Sequence, residues 1–321
     1  MVTLDVKDLT TYYFTRRGPV RAVEGVSFQL EKGEAMGLAG ESGCGKTTIA
    51  LSLLKILPQG GRIVGGEVIL NGKDIVPLNE NEMRKDIRWK KLSIVFQGAM
   101  NAMNPVYKVG DQIVEAIKLH EPKVYRSEAK ERAGKLLELV GIDASRLENY
   151  PHEFSGGMKQ RALIAMSLAC NPDVVIADEP GTALDVIVQA QVLRLMKELI
   201  EKLNLSVIMI THDLSMLAEV CHRIAIMYAG YLSEYGDIKP IFKNPLHPYT
   251  KDLIESFPSI KAAKQDMVSI PGFPPDLLSP PPGCRFNPRC KYAMDVCRKE
   301  IPPLIEAEPS HFVACHLVSK R

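Results

Sequence analysis

The sequence predicts an α/β fold with a parallel sheet, on three observations. The apolar run Ala35–Ala39 ends in a glycine-rich turn that opens a helix near Lys46. The continuous apolar runs Val174-Val175-Ile176-Ala177 and Val207-Ile208-Met209-Ile210 have strand length and are separated by helical periodicity over about 186–202. Uninterrupted apolar strands joined by a helical crossover are the pattern of a sheet covered on both faces. The composition, 46% hydrophobic and 24% charged over 321 residues, is that of a globular chain of about two domains and excludes a disordered one.

The remaining elements follow in order. Residues 2–9 and 22–30 alternate apolar and polar and read as strands; 68–70 followed by Asn71-Gly72 reads as a hairpin, and 92–96 as a short apolar strand. From 98 to 170 the period becomes helical, with Ile113, Ile117, Leu136, Leu137 and Val140 at helix spacing among dense Lys and Glu. Beyond Asp237 proline becomes frequent, which disfavours long regular elements. The expected division is a core of 1–97 with 171–237, a helical subdomain of 98–170, and a C-terminal extension of 238–321. Forty Lys and Arg against 38 Asp and Glu leave a formal charge of +2, too little to draw in nucleic acid or an acidic membrane. No stretch approaches the ~20 apolar residues that span a bilayer, and the start of the chain does not read as a signal peptide, so the expected compartment is the cytosol.

Gly40-Glu41-Ser42-Gly43-Cys44-Gly45-Lys46-Thr47 fits G-x4-G-K-[ST] between a strand and a helix. Glycines let backbone N–H groups wrap a phosphate, and the helix start adds a favourable partial charge. Lys46 is expected at the β- and γ-phosphates and Thr47 at Mg²⁺, with Thr48 beside them; Cys44 reads as packing. Such a loop needs a carboxylate at the end of a neighbouring buried strand. Asp178 supplies it as metal partner, leaving Glu179 as the base that polarises water.

The string Phe154-Ser155-Gly156-Gly157-Met158-Lys159-Gln160-Arg161 resembles the signature of ATP-binding subunits of ABC transporters. The resemblance implies a P-loop ATPase core with an N-terminal antiparallel β subdomain, a helical signature subdomain and a small irregular Cys-rich extension. It also implies a head-to-tail dimer in which Ser155, Gly156 and Gly157 face the γ-phosphate held by Lys46 of the other subunit. Gln97 matches the glutamine that senses Mg²⁺ and water, Ala183-Leu184-Asp185 the D-loop, His212 the switch histidine, and Tyr13 the aromatic that stacks on adenine, with Phe14 or Tyr12 as fallback. Met158 stands where the common signature has Gln, and Gly98 where related importers often have Asp after the glutamine.

Three further strings, Tyr150-Pro151-His152-Glu153, Met103-Asn104-Pro105 and Leu246-His247-Pro248-Tyr249-Thr250, resemble the oligopeptide/dipeptide importer branch, which also takes up nickel or oligosaccharide. The implied protein hydrolyses ATP at the cytoplasmic face of a membrane to drive import. Its implied partners are two permease subunits, a second ATPase that is a paralogue or itself, and indirectly an extracellular substrate-binding protein, with no nucleic acid. The segment 97–110, with Met100, Met103 and Pro105, is expected to face a permease helix. Alternatives are a soluble ABC ATPase acting on nucleic acid or the ribosome, and an ATP-regulated redox or iron-handling protein.

Four of seven cysteines fall at the end, as Cys284-x5-Cys290-x6-Cys297-x17-Cys315. The spacing leaves a metal or cluster and disulfides or unrelated cysteines all open, since structural zinc prefers closer pairs. The resemblance implies a four-iron four-sulfur cluster, structural by default. His311 and His316 read as exposed polar residues, either able to replace a thiolate in a zinc site.

Overall fold

The computed structural model describes residues 1–98, 102–256 and 270–318. The chain falls into two compact units, 1–3 with 30–35 and 77–210, and 4–29 with 36–76 and 211–321.

In the first unit the strands Leu92–Val95, Val174–Asp178 and Ser206–Ile210 lie parallel, with Val174–Asp178 in the middle. Every residue of Val174–Asp178 and Ser206–Ile210 is buried, as an unbroken apolar run requires. The crossover helix Val186–Leu203 buries Val192, Leu193, Met196, Leu199 and Ile200, one stripe at helical spacing. It starts on the Asp185 side chain, which accepts the Val188 N–H at 2.9 Å, and stops at Asn204 in the left-handed conformation. The segment read as helical holds the helices Val109–His120, Arg126–Leu139 and Gly156–Ser167.

The second unit carries a four-stranded sheet in the order Gly18–Glu31, Val2–Thr15, Gly61–Leu70, Lys73–Asp74. Its last hairpin turns on Asn71 and Gly72 with φ of 50° and 80°, a primed turn that an Asn-Gly pair adopts at least cost. Residues 36–39 of the strand Ala35–Ala39 pair parallel with Arg223–Tyr228, which pairs antiparallel with Tyr231–Asp237.

The extension differs from the irregular tail expected. It holds the helices Ile238–Lys243 and Pro248–Glu255, and its strand His311–Val313 adds antiparallel to Tyr231–Asp237, with Ile305–Glu308 outside it. Pro302 and Pro303 precede these strands and Pro309 lies in the turn between them, so none interrupts a strand, and runs of three or four residues are too short to show a period. His311 and His316 are not exposed as expected, at 1% and 8%. His311 Nε2 lies 2.6 Å from the buried Glu234 carboxylate, and His316 Nε2 lies 3.0 Å from the Glu300 carbonyl. Among the described residues no helix is long and apolar enough to cross a membrane.

Candidate nucleotide site

The buried strand Ala35–Ala39 delivers the chain into Gly40, and the glycines that follow are required by geometry. Gly40, Gly43 and Gly45 have φ of 145°, 77° and 108°, and a Cβ at Gly40 or Gly45 would stand 2.2 Å from the Met227 carbonyl or 2.3 Å from that of Ala22. The helix Lys46–Leu53 then begins with no acidic residue in its first turn, which leaves its positive end for an anion. Lys46 Nζ donates to the carbonyls of Gly40 at 2.7 Å and Glu41 at 3.0 Å. Ser42, Gly43 and Thr47 are exposed. Burial raises the Cys44 thiol pKa despite the Lys46 ammonium beside it, and at 4% exposure the thiol is packed into the loop. Tyr13 is half-buried with its hydroxyl 3.3 Å from Thr48 Oγ1; Tyr12 donates to Glu24, and Phe14 is exposed with Arg62 over its ring.

In the first unit, Asp178 ends its strand at 2% exposure. Glu179 follows at φ 48° before Pro180, a left-handed position that costs about 1 kcal/mol for a side-chain residue and turns the carboxylate out of the strand direction. Its N–H donates to Ile210 O at 2.8 Å, and its Oε2 accepts from Gln97 Nε2 at 2.6 Å and Thr182 Oγ1 at 2.8 Å. The fold thus brings Gln97 and Glu179 together from the ends of adjacent parallel strands. Nothing in the sequence singled out Thr182.

The signature turn is built by a cap. Ser155 Oγ accepts the Met158 N–H at 3.3 Å at the start of Gly156–Ser167, another helix with no acidic first turn. A Cβ on Gly157 would stand 2.5 Å from Val188 Cγ1, so this glycine also lets two helices meet. In the second unit His212 is exposed, and Asp213 caps the helix Leu214–Val220 behind it.

The four C-terminal cysteines form no disulfide, and Cys290, Cys297 and Cys315 lie near enough to Cys284 to act on its charge. Burial first, and then the other three cysteines, push Cys284 up to about 11; burial likewise takes Cys315 to about 11, with Cys290 and Cys297 adding to it. Their chemistry suits a soft metal or cluster. Yet among the described residues no three His, Cys, Asp or Glu are placed to hold a metal ion. The ligand set implied by the resemblance is therefore not assembled among the described residues. Met103 is buried at 3%, against the partner-facing expectation, while Pro105 is exposed; Met100 lies outside the described residues.

A glycine loop between a buried parallel strand and a helix, in a chain that also joins an amide to a carboxylate at two strand ends, defines a P-loop nucleotide-binding protein. Residues 23–182 match the ABC transporter family and 233–297 the oligopeptide/dipeptide transporter C-terminal region. The oligopeptide transport ATP-binding protein OppD of Bacillus subtilis is 46% identical, covering 98% of this chain and 88% of the relative; the dipeptide transport ATP-binding protein DppD of the same organism is 46% identical, covering 99% and 95%. A solved dimeric cassette, the bacterial ABC transporter cassette MJ0796, is 25% identical with a TM-score of 0.65, covering 73% of this chain and 98% of that one. The chain belongs to the oligopeptide/dipeptide family of ABC transporter ATP-binding subunits.

Proposed function

We propose that the chain is the ATP-hydrolysing subunit of an importer for oligopeptides or dipeptides, working at the cytoplasmic face of a membrane. The observation that supports it most is the 2.6 Å hydrogen bond from Gln97 to Glu179. A phosphate loop alone gives nucleotide binding; a carboxylate aimed by an amide at the end of the next strand adds a base for water. In this reading Lys46 and the amides of Ser42, Gly43, Cys44 and Gly45 hold the β- and γ-phosphates, and Tyr13 stacks on the base beside Thr48. Glu179 takes the proton of the attacking water, and His212 keeps that water and the γ-phosphate in register. Thr47, Asp178 and Gln97 would hold Mg²⁺, which supplies charge neutralisation on the phosphates.

Ser155, Gly156, Gly157 and Asp185 would close on the nucleotide of a second cassette, a paralogue or a second copy. Val186 and Ile187, 80% and 72% exposed directly after Asp185, support a protein partner there. Two permease subunits would take up the closure through the helical segment 98–170, where Val106 and Tyr107 are exposed, and a substrate-binding protein would act through them. Glu179→Gln is expected to keep ATP affinity and lose at least ~10²-fold in turnover, measured by phosphate release, the usual scale for a general base. Unchanged turnover would remove Glu179 from the role. Lys46→Ala is expected to lose ATP binding, and its retention would contradict the site itself.

A cluster on Cys284, Cys290, Cys297 and Cys315 is supported by their shared neighbourhood and would require them to converge further. Iron and acid-labile sulfide on anaerobically purified protein decide it: about four of each per chain for the cluster, none for an extension held by packing alone.

A further inference from the structure

Glu41, the second residue of the phosphate loop, is gripped at every polar group it has. Its N–H donates to the hydroxyl of Tyr249 at 2.9 Å, and its carbonyl accepts from Lys46 Nζ at 3.0 Å. Its carboxylate forms a two-pronged ion pair with Arg289, Nη1 to Oε2 at 2.7 Å and Nη2 to Oε1 at 3.0 Å. Tyr249 and Arg289 both belong to the C-terminal extension, 208 and 248 residues away in sequence.

The two gripping residues are themselves fixed. The Arg289 side chain is 5% exposed, and its remaining N–H groups go to Pro271 O at 2.8 Å from Nε, Ile270 O at 3.3 Å from Nη2 and the Tyr228 hydroxyl at 3.2 Å from Nη1. These five bonds use the whole donor fork of a guanidinium, which the point charge of a lysine does not reproduce. Tyr249 is fully buried, with its ring centroid 4.6 Å from that of Tyr228 and 5.4 Å from that of Phe286. The Arg289 N–H returns to Phe286 O at 3.0 Å, so one aromatic cluster seats both residues. A carboxylate in a loop built for polyphosphate repels its ligand, and the guanidinium cancels that charge where it stands.

We propose that Arg289 and Tyr249 are positioning residues for ATP: through Glu41 they hold the phosphate loop in shape and neutralise the one acid within it. The proposal deepens the ATPase reading and rests on it.

The test is equilibrium binding of a fluorescent ATP analogue, with kcat and KM for ATP, on the full chain carrying Arg289→Gln, Arg289→Lys, Tyr249→Phe, the pair Glu41→Gln with Arg289→Gln, and Lys46→Ala. Arg289→Gln should raise Kd and KM about tenfold with kcat within about twofold, a deficit that shrinks with added salt. Arg289→Lys should recover only part of it. The paired variant should return to within about threefold of wild type, because it removes the uncompensated carboxylate while still lacking the guanidinium. That rescue separates charge compensation from packing, since both variants lose the same side chain. If Arg289→Gln does not fold, Tyr249→Phe keeps the ring, removes only the hydroxyl and should weaken binding about threefold. Wild-type affinity in Arg289→Gln or in Tyr249→Phe, or a paired variant as weak as Arg289→Gln, overturns the proposal. ATP retained by Lys46→Ala overturns instead the nucleotide site on which it rests.

Discussion

The phosphate loop and the signature turn make the same local structure by different means. Each leads into a helix whose first turn has no acid, from Gly45 in one case and from Ser155 ahead of Gly156 and Gly157 in the other, and so offers an anion the same positive terminus. The signature turn is held from within the first unit, by the Ser155 cap and the contact that Gly157 permits with Val188. The phosphate loop is held by side chains more than 200 residues downstream. In the proposed dimer the signature turn closes on a nucleotide already in place and needs only to be available, whereas the loop that first captures it must be shaped in advance.

The sharpest way to break this comparison is Gly45→Ala. The added methyl meets the Ala22 carbonyl at a φ of 108°, so the loop cannot form and ATP binding should fall at least ~10²-fold in a direct titration. Gly157→Ala, a methyl against Val188, should cost about 1–3 kcal/mol in urea melts yet leave the isolated subunit's ATP affinity within about twofold. Equal loss of affinity in both would erase the distinction.

A smaller effect concerns the extension that holds the loop, where Glu234 serves two histidines of opposite behaviour. Burial lowers the His247 pKa to about 4 against the pull of Glu234, whose carboxylate accepts the His247 backbone N–H at 2.9 Å. Burial acts the same way on His311, but there the bond and charge of Glu234, with Glu308 beyond, prevail and raise the pKa. The unfolded chain therefore takes up a proton at residue 247 as pH falls from 6.5 toward 4, and stability drops in that window. The His311 contribution is complete below pH 6.5 and is lost as pH rises through its raised folded value. Urea melts across pH should show His311→Gln removing the loss on the alkaline side and keeping the one on the acid side. Loss of both slopes together would show that residue 311 governs the whole region.

The loop, the apolar strands and the crossover helix were legible because their signals are local: a glycine spacing, a run, a period. Asp178 and Glu179 were legible for the same reason, standing together after four apolar residues, while Thr182, the partner of Glu179, offered no signal. Arg289 and Tyr249 were not, because pairings across 248 and 208 residues leave no period; Tyr249 entered only as part of a string that narrows the family. The strands Ile305–Glu308 and His311–Val313 were missed as too short, and with them the burial of His311. Four cysteines announce soft donors, but whether they converge is decided by tertiary packing, which placed them near one another without a ligand set.

The separation of Glu41 from Arg289 also has a meaning during synthesis. At about 5–20 residues per second the ribosome makes Arg289 roughly 12–50 s after Glu41, so the glycines and the lysine emerge long before the groups that fix them. A chain cut short before Arg289 carries the whole phosphate-loop motif and an uncompensated acid within it. Completion of the polypeptide is thus built into nucleotide capture, and unfinished subunits are at a disadvantage for ATP in the cell.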